Sequence, residues 1–330
     1  MTRKGGGPEG LGGGTNYEAP RRHRWVADRP RLSERRWLLL MLAPFLVGVV
    51  VLVLVPFAVT MVLAFADYDL VRAPRWIGPA NFVALVRDPA FRAALGNSLL
   101  FAAIAVPGRV LIAFGLALLL HRRARVAGTA RTAAALPTAV PEVAYGLLFL
   151  WLFNPLYGPI NQILTTGGTR GLTIFGRTPP QWLTDPQDAQ AAIVIMSLFT
   201  IGEMFVILLA ARRLLPREAY ELAAIEDATT WDVLRRVTLP LMAPVLALLL
   251  IRDTVQSFQY SFVPTLVVTE GGPPPYATTH LSLFIYRNAF EYLRYGYAAA
   301  ATLVMLALTV AAVLVQWRLI RRYRSLRPEG

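Results

Sequence analysis

From Trp37 to Phe65 the chain carries no charged side chain. A helix of that length spans the ~30 Å hydrocarbon core of a bilayer at its rise of about 1.5 Å per residue. Tyr297 to Val315 is a second uncharged run of the same kind. Helices apolar on every side have no stable place at the surface of a water-soluble domain, so a membrane protein is predicted. Composition agrees, with 55% of the 330 residues hydrophobic and a positive mean hydropathy. The same reading along the chain gives an all-α membrane protein of six transmembrane helices, at about 37–65, 97–120, 132–153, 189–211, 239–268 and 297–316.

The net charge is +13, which in a soluble protein would invite a nucleic-acid partner. The placement of the charges argues otherwise. Roughly 23 of the 33 Lys and Arg fall in four segments: the arm before span one, the loops after spans two and four, and the tail. The alternate loops hold roughly eight. This is the positive-inside pattern; it predicts both termini in the cytosol and no nucleic-acid partner. Residues 1–36 read as a basic, largely disordered cytosolic arm whose end touches membrane lipid. Residues 37–320 read as the transmembrane domain and 321–330 as a cytosolic tail. The apolar run after Arg36 is too long for a cleaved signal-peptide core. With no cysteine and three scattered histidines, neither a thiolate metal site nor a zinc centre is predicted.

Between spans four and five lies a polar, well-patterned loop, 212–239. Pro216 suits a first helical turn, and Glu218 and Glu221 suit the positive end of the helix it opens, to about Glu226. Thr229 with Asp232 three residues later resembles a capping box starting a second helix, with Trp231, Leu234 and Val237 on one side. The turn between the helices falls near Asp227 and Ala228.

The stretch Tyr220, Glu221, Leu222, Ala223, Ala224, Ile225, Glu226, Asp227, Ala228, followed by Leu239, Pro240 and Pro244, resembles the EAA loop of binding-protein-dependent ABC importer permeases. That pattern is Glu-Ala-Ala, three residues, Gly-Ala and, about ten residues on, Leu-Pro. Leu222 here replaces the first Ala, Glu226 the usual Asp and Asp227 the Gly. A Gly ends the first helix where a positive φ is wanted, and Asp is among the few other residues that tolerate it, at a cost of ~1 kcal/mol. Other stretches resemble the sugar branch of the family, the maltose and glycerol-phosphate type. They are Gly78-Pro79-Ala80-Asn81-Phe82 with Asp88-Pro89-Ala90-Phe91 and Asn97-Ser98, Trp151-Leu152-Phe153-Asn154 with Gly158 and Asn161, Thr269-Glu270-Gly271-Gly272-Pro273, and Gly296-Tyr297-Ala298.

The resemblance implies a MetI-like type I ABC importer permease fold in the bacterial cytoplasmic membrane. It implies a second homologous permease subunit, a dimer of ABC ATPase subunits and an extracytoplasmic solute-binding protein. No cofactor is expected on this chain; ATP and Mg belong to the ATPase. The EAA helix would dock in that ATPase, with Tyr220, Glu221, Ala223, Ala224, Glu226, Asp227, Ala228, Leu239 and Pro240 as the coupling residues. In this family sugar sites are lined by the middle of spans four and five, which implies a substrate path at Thr200, Glu203, Thr254, Ser257, Phe258 and Ser261.

Arg109, Glu142, Glu203, Arg252 and Asp253 fall near the middle of the spans, where an ionisable group must be paired or wetted. Arg109 and Glu142 lie at similar depth in consecutive antiparallel spans and are expected to pair, and Arg252 and Asp253 to be satisfied by partner helices. A proton-coupled secondary transporter could use such carboxylates, and a non-sugar solute would suit the same permease class. An enzyme fits poorly: no Ser-His-Asp order, metal spacing or aqueous carboxylate pair is present, and the glycine-rich N-terminus lacks the Gly-Lys-Ser/Thr of a phosphate loop.

Overall fold

Apolar helices dominate, and in a bilayer each satisfies its backbone groups within its own segment. A computed structural model describes residue 2 and residues 32–121, 125–166 and 180–325. The arm to residue 31, residues 122–124 of the basic loop, much of the third-span exit and the last five tail residues lie outside the described residues. The chain divides into two units, Met1–Pro56 and Phe57–Gly330. In the first, α1 (Leu32–Val49) carries Pro44 and leads into a π turn, Val50–Leu54. Trp37, Leu39 and Met41 are exposed, as lipid-facing side chains can be.

The second unit begins within α2 (Val55–Leu63). A two-stranded antiparallel hairpin, β1 (Ala66–Asp67) and β2 (Arg75–Trp76), pairs Ala66 with Trp76. The helix α3 (Ala80–Arg87) then leads to α4 (Pro89–Leu120), capped by Asp88, whose carboxylate accepts from Ala90 N at 2.8 Å. Next come α5 (Arg125–Ala135), a 3₁₀ turn Leu136–Ala139, α6 (Glu142–Leu152), α7 (Pro159–Thr166), α8 (Pro186–Leu198) and α9 (Gly202–Arg213). The helix pair of the polar loop is α10 (Arg217–Ile225) and α11 (Thr230–Asp232). A π turn, Val233–Thr238, joins α11 to α12 (Leu239–Tyr260), and α13 (Phe262–Val267), α14 (Leu281–Tyr286) and α15 (Tyr295–Ser325) complete the fold.

Among the described residues, four helices are long and apolar enough to cross a membrane unaided: Arg36–Leu63, Pro89–Leu120, Thr230–Val267 and Tyr295–Arg322. Two bent pairs make six: Gly128–Ala139 with Glu142–Leu152, bent by 105°, and Pro186–Leu198 with Gly202–Arg213, bent by 42°. The first break carries Pro137 and Pro141, which lack the N–H a continuous helix needs. The second has no proline. There Ser197 and Thr200 turn their hydroxyls back onto the carbonyls of Val194 and Ser197, at 2.7 and 2.8 Å, which competes with the helical ladder.

The central helix is α4, packed on α8, α9, α12 and α14. Ala105, Arg109, Ala113 and Ala117 recur every fourth residue and are all buried. The small side chains of the three alanines let α9 and α12 approach closely, as packing between helices in lipid favours. Phe205, Leu208, Met242 and Leu249 fill that seam. A second core joins Leu85, Phe91, Leu281 and Phe284 to Ala299–Ala301, and a third joins Phe101, Phe149, Phe153 and Ile193.

The loop motifs lock the end of the bundle opposite α10. Asn81 donates to Ala64 O and Ala66 O, both at 3.0 Å, and Asn97 donates to Tyr276 O and Thr279 O. Ser98 accepts from Leu281 N. At Gly296 a Cβ would lie 1.9 Å from Ala66 O, so only glycine allows the last helix to start against the hairpin. Thr278 and Thr279 donate to Gly272 O and Gly271 O and so fold the glycine-proline segment back on itself.

Candidate functional site

Where spans three and four break, a cavity of about 630 Å³ opens between α4, α6, α8, α9 and α12. Gly202 makes the break compact, because a Cβ there would stand 2.7 Å from Thr138 Cγ2. Of the residues singled out in the sequence, Arg109, Glu142, Thr200, Glu203, Asp253 and Ser257 line this cavity.

Arg109 is paired with Asp253, not with Glu142. Its Nε donates to Asp253 Oδ2 at 3.0 Å, Nη2 lies 3.0 Å from the same oxygen, and Nη2 also donates to Ser257 Oγ. Arg109 also sits over the Phe101 ring, and both charged residues are buried. The 105° bend explains the correction: it puts Glu142 in the first turn of α6, beyond the kink, while α12 runs beside α4 and brings Asp253 to the depth of Arg109. Arg252 also has its partner within the chain, Glu203 Oε2 at 2.7 Å, with side chains 36% and 59% exposed. Arg252 and Asp253 are thus each paired with a neighbouring helix, α9 and α4, as expected.

Three residues of the implied substrate path face elsewhere. Thr254 accepts from Gln316 Nε2 at 2.6 Å, Ser261 meets Ser282 at 3.2 Å, and Phe258 is buried outside the cavity. The positions 254, 257, 258 and 261 form one helical stripe. The stripe that lines the cavity is 253, 256 and 257, rotated by one residue. Counting forward from Asp253 by three and four finds Gln256 and Ser257. Tyr145, Ser197 and Thr138 also line the cavity and were missed. Tyr145 is reached by counting three residues on from Glu142, and its hydroxyl donates to Met196 O at 2.6 Å, tying α6 to α8.

The turn between α10 and α11 is built as its residues dictate. Ala228 N bonds to Ala223 O and Asp227 N to Ala224 O, the two bonds of a Schellman motif. Asp227 occupies the left-handed region at φ 50°, the position of the family's glycine, and the turn forms without it. Thr229 caps the next helix, accepting from Asp232 N at 3.2 Å and donating to Asp232 Oδ2 at 2.5 Å. The second helix runs straight into span five: Thr230–Val267 is one helix, so Leu239 and Pro240 lie within it.

Tyr220 links this pair to the spans. Its ring lies under Arg212, 4.3 Å from the guanidinium carbon, and its hydroxyl meets Thr238 Oγ1 at 3.1 Å. Ala223 is buried, while Glu221, Ala224, Glu226 and Asp227 are exposed. Beside them Leu222, Ile225 and Trp231 are 62%, 78% and 66% exposed, an apolar surface next to charged residues.

Comparison with known proteins matches residues 109–325 to the family described as binding-protein-dependent transport system inner membrane component. The sulfoquinovosyl glycerol transport system permease protein SmoG of Agrobacterium fabrum is 30% identical, over 92% of this chain and 95% of that protein. The lactose transport system permease protein LacF of Rhizobium radiobacter is 32% identical over 74% of this chain and 80% of its own. The trehalose/maltose transport system permease protein MalF of Thermococcus litoralis is 28% identical, over 86% and 93%. A bacterial alginate ABC transporter, solved with a pentasaccharide-bound periplasmic protein, shares the fold: TM-score 0.73 and 23% identity, over 88% of this chain and 96% of that one. The kinked helices around one cavity and the family match from the middle of span two to the end of α15 lead to one conclusion: the chain belongs to the binding-protein-dependent transport system inner membrane components, as the permease subunit of an ABC transporter and not an enzyme.

Proposed function

We propose that this permease carries a sugar or related polyol from an extracytoplasmic solute-binding protein into the cytoplasm, driven by a separate ATPase that docks on α10 and its turn. The observation that carries the sugar reading is the cavity itself, where hydroxyl, amide and carboxylate groups of four spans converge beside the Phe101 and Tyr145 rings. Polyols are held by such hydrogen-bonding rims around an apolar floor. The named substrates of the lactose and trehalose/maltose relatives support the same class. A second permease subunit would complete the pathway, and both termini would lie in the cytosol with α10.

The exposed Leu222, Ile225 and Trp231 support the ATPase contact, since apolar side chains in an aqueous loop gain by being covered. Ile225→Glu tests this in the assembled transporter: it leaves the chain's thermal stability unchanged and lowers ATP hydrolysis stimulated by sugar-loaded binding protein. Full stimulation in this variant and in Trp231→Glu would remove α10 from the contact.

A further inference from the structure

The hydrogen-bond direction of the cavity wall is unusually one-sided. A hydroxyl has one proton to give and two lone pairs. Around the cavity that proton is already given to a backbone carbonyl by Thr138 (to Ala135 O, 2.7 Å), Tyr145, Ser197, Thr200 and Ser257 (to Asp253 O, 2.8 Å). Their oxygens face a ligand as acceptors. The Arg109 guanidinium is held by Asp253 and Ser257, and the Glu203 carboxylate by Arg252. Glu142 differs: it lines the cavity with no ion pair or hydrogen bond among the described residues. It is half-buried in the first turn of α6, where the free N–H groups of an 11-residue helix favour a negative charge. The wall thus holds many acceptors, one uncommitted carboxylate and no uncommitted cation among the described residues. The Gln256 amide remains as a donor.

We propose that this wall selects a hydroxyl-rich, non-anionic sugar and rejects its acidic counterpart, with Glu142 as the specificity-determining residue. The proposal deepens the sugar reading above and rests on it. A neutral sugar brings a donor for each acceptor it meets, and two or more of its hydroxyls can share the Glu142 carboxylate in charge-assisted bonds. An aldonate or uronate brings an acceptor with a full negative charge, finds no cation to pair with, and meets Glu142 as a like charge in a site of low dielectric. Selectivity then comes from repulsion as much as from attraction.

The test uses the complete transporter, with its partner permease, ATPase and binding protein, in proteoliposomes, and measures ATP-driven uptake of lactose and maltose against lactobionate and maltobionate. The ratio of acid to neutral uptake is compared between wild type, Glu142→Gln and Glu142→Arg, because a ratio across variants cancels the preference of the binding protein. Glu142→Gln, nearly isosteric, guards against loss of folding. The expected result is preferred uptake of the neutral sugars, with the acid-to-neutral ratio rising at least about fivefold in Glu142→Gln and further in Glu142→Arg. A ratio unchanged in both variants, or a wild type that favours the acids, overturns the proposal while leaving the sugar reading in place. Wild-type uptake of none of the four sugars overturns the sugar reading and this proposal with it.

Discussion

Arg109 and Asp253 are paired inside the bundle, at 6% and 7% exposure. Removing one leaves the other buried and unpaired, which costs about 3–5 kcal/mol, whereas replacing both with apolar residues of similar volume can be nearly neutral. Arg109→Leu and Asp253→Leu are therefore expected to lower the melting temperature of the purified chain in detergent far more singly than together. Equal and additive losses would show that the pair does not act as a unit. As mid-membrane charges both were legible in the sequence, since polar residues in an apolar run stand out. Their pairing was not. It joins residues 144 positions apart, and the nearer candidate, Glu142, is carried away by a bend that spacing along the chain does not reveal. Asp227 is the opposite case. The family's glycine position already announced a positive φ, and the backbone adopts it with aspartate in place.

Among the elements, the helix pair α10–α11 is legible in the sequence because its signals are local: a proline at the start, a capping box, a turn residue. Its continuation into span five was missed. Leu239-Pro240 looks like a boundary, yet a proline in the first turn of a helical segment costs little, and the π turn before it keeps the helix unbroken. The break in span four was equally silent, because Ser197 and Thr200 act through hydroxyl bonds and no proline marks the site. Tyr220 ties the pair to the spans, resting under Arg212 at the end of α9 and bonded to Thr238 at the foot of span five, which is where the proposed coupling would pass. Both of these elements reach the cavity, through Glu203 and Asp253. Tyr220→Phe loses one hydrogen bond, worth about 1 kcal/mol, and keeps the ring contact. Tyr220→Ala loses both. The expected outcome is a graded fall in uptake per ATP hydrolysed, small for Phe and large for Ala. An unchanged ratio in Tyr220→Ala would remove the residue from the coupling path.

For the molecule as a whole, the hydropathy pattern exposed the membrane class at once, because a bilayer demands long apolar runs. The lining of the cavity was half legible: a stripe of span five was correctly chosen as polar but displaced by one residue, and the rotation of a helix is set by its neighbours, not by its own sequence. What links cavity and coupling turn is the helix Thr230–Val267, which carries the turn's cap at one end and Asp253, Gln256 and Ser257 farther along. A docked ATPase moving α10 would act on the cavity through that helix and through α9. ATP hydrolysis on a partner is proposed to drive solute through this chain. Uptake of labelled sugar into proteoliposomes tests it most directly, comparing the complete transporter with internal ATP against this chain alone under an imposed proton gradient. The account predicts uptake that needs both ATP and the sugar-loaded binding protein, with none in the chain alone. Gradient-driven uptake by the chain alone, indifferent to ATP, would contradict it.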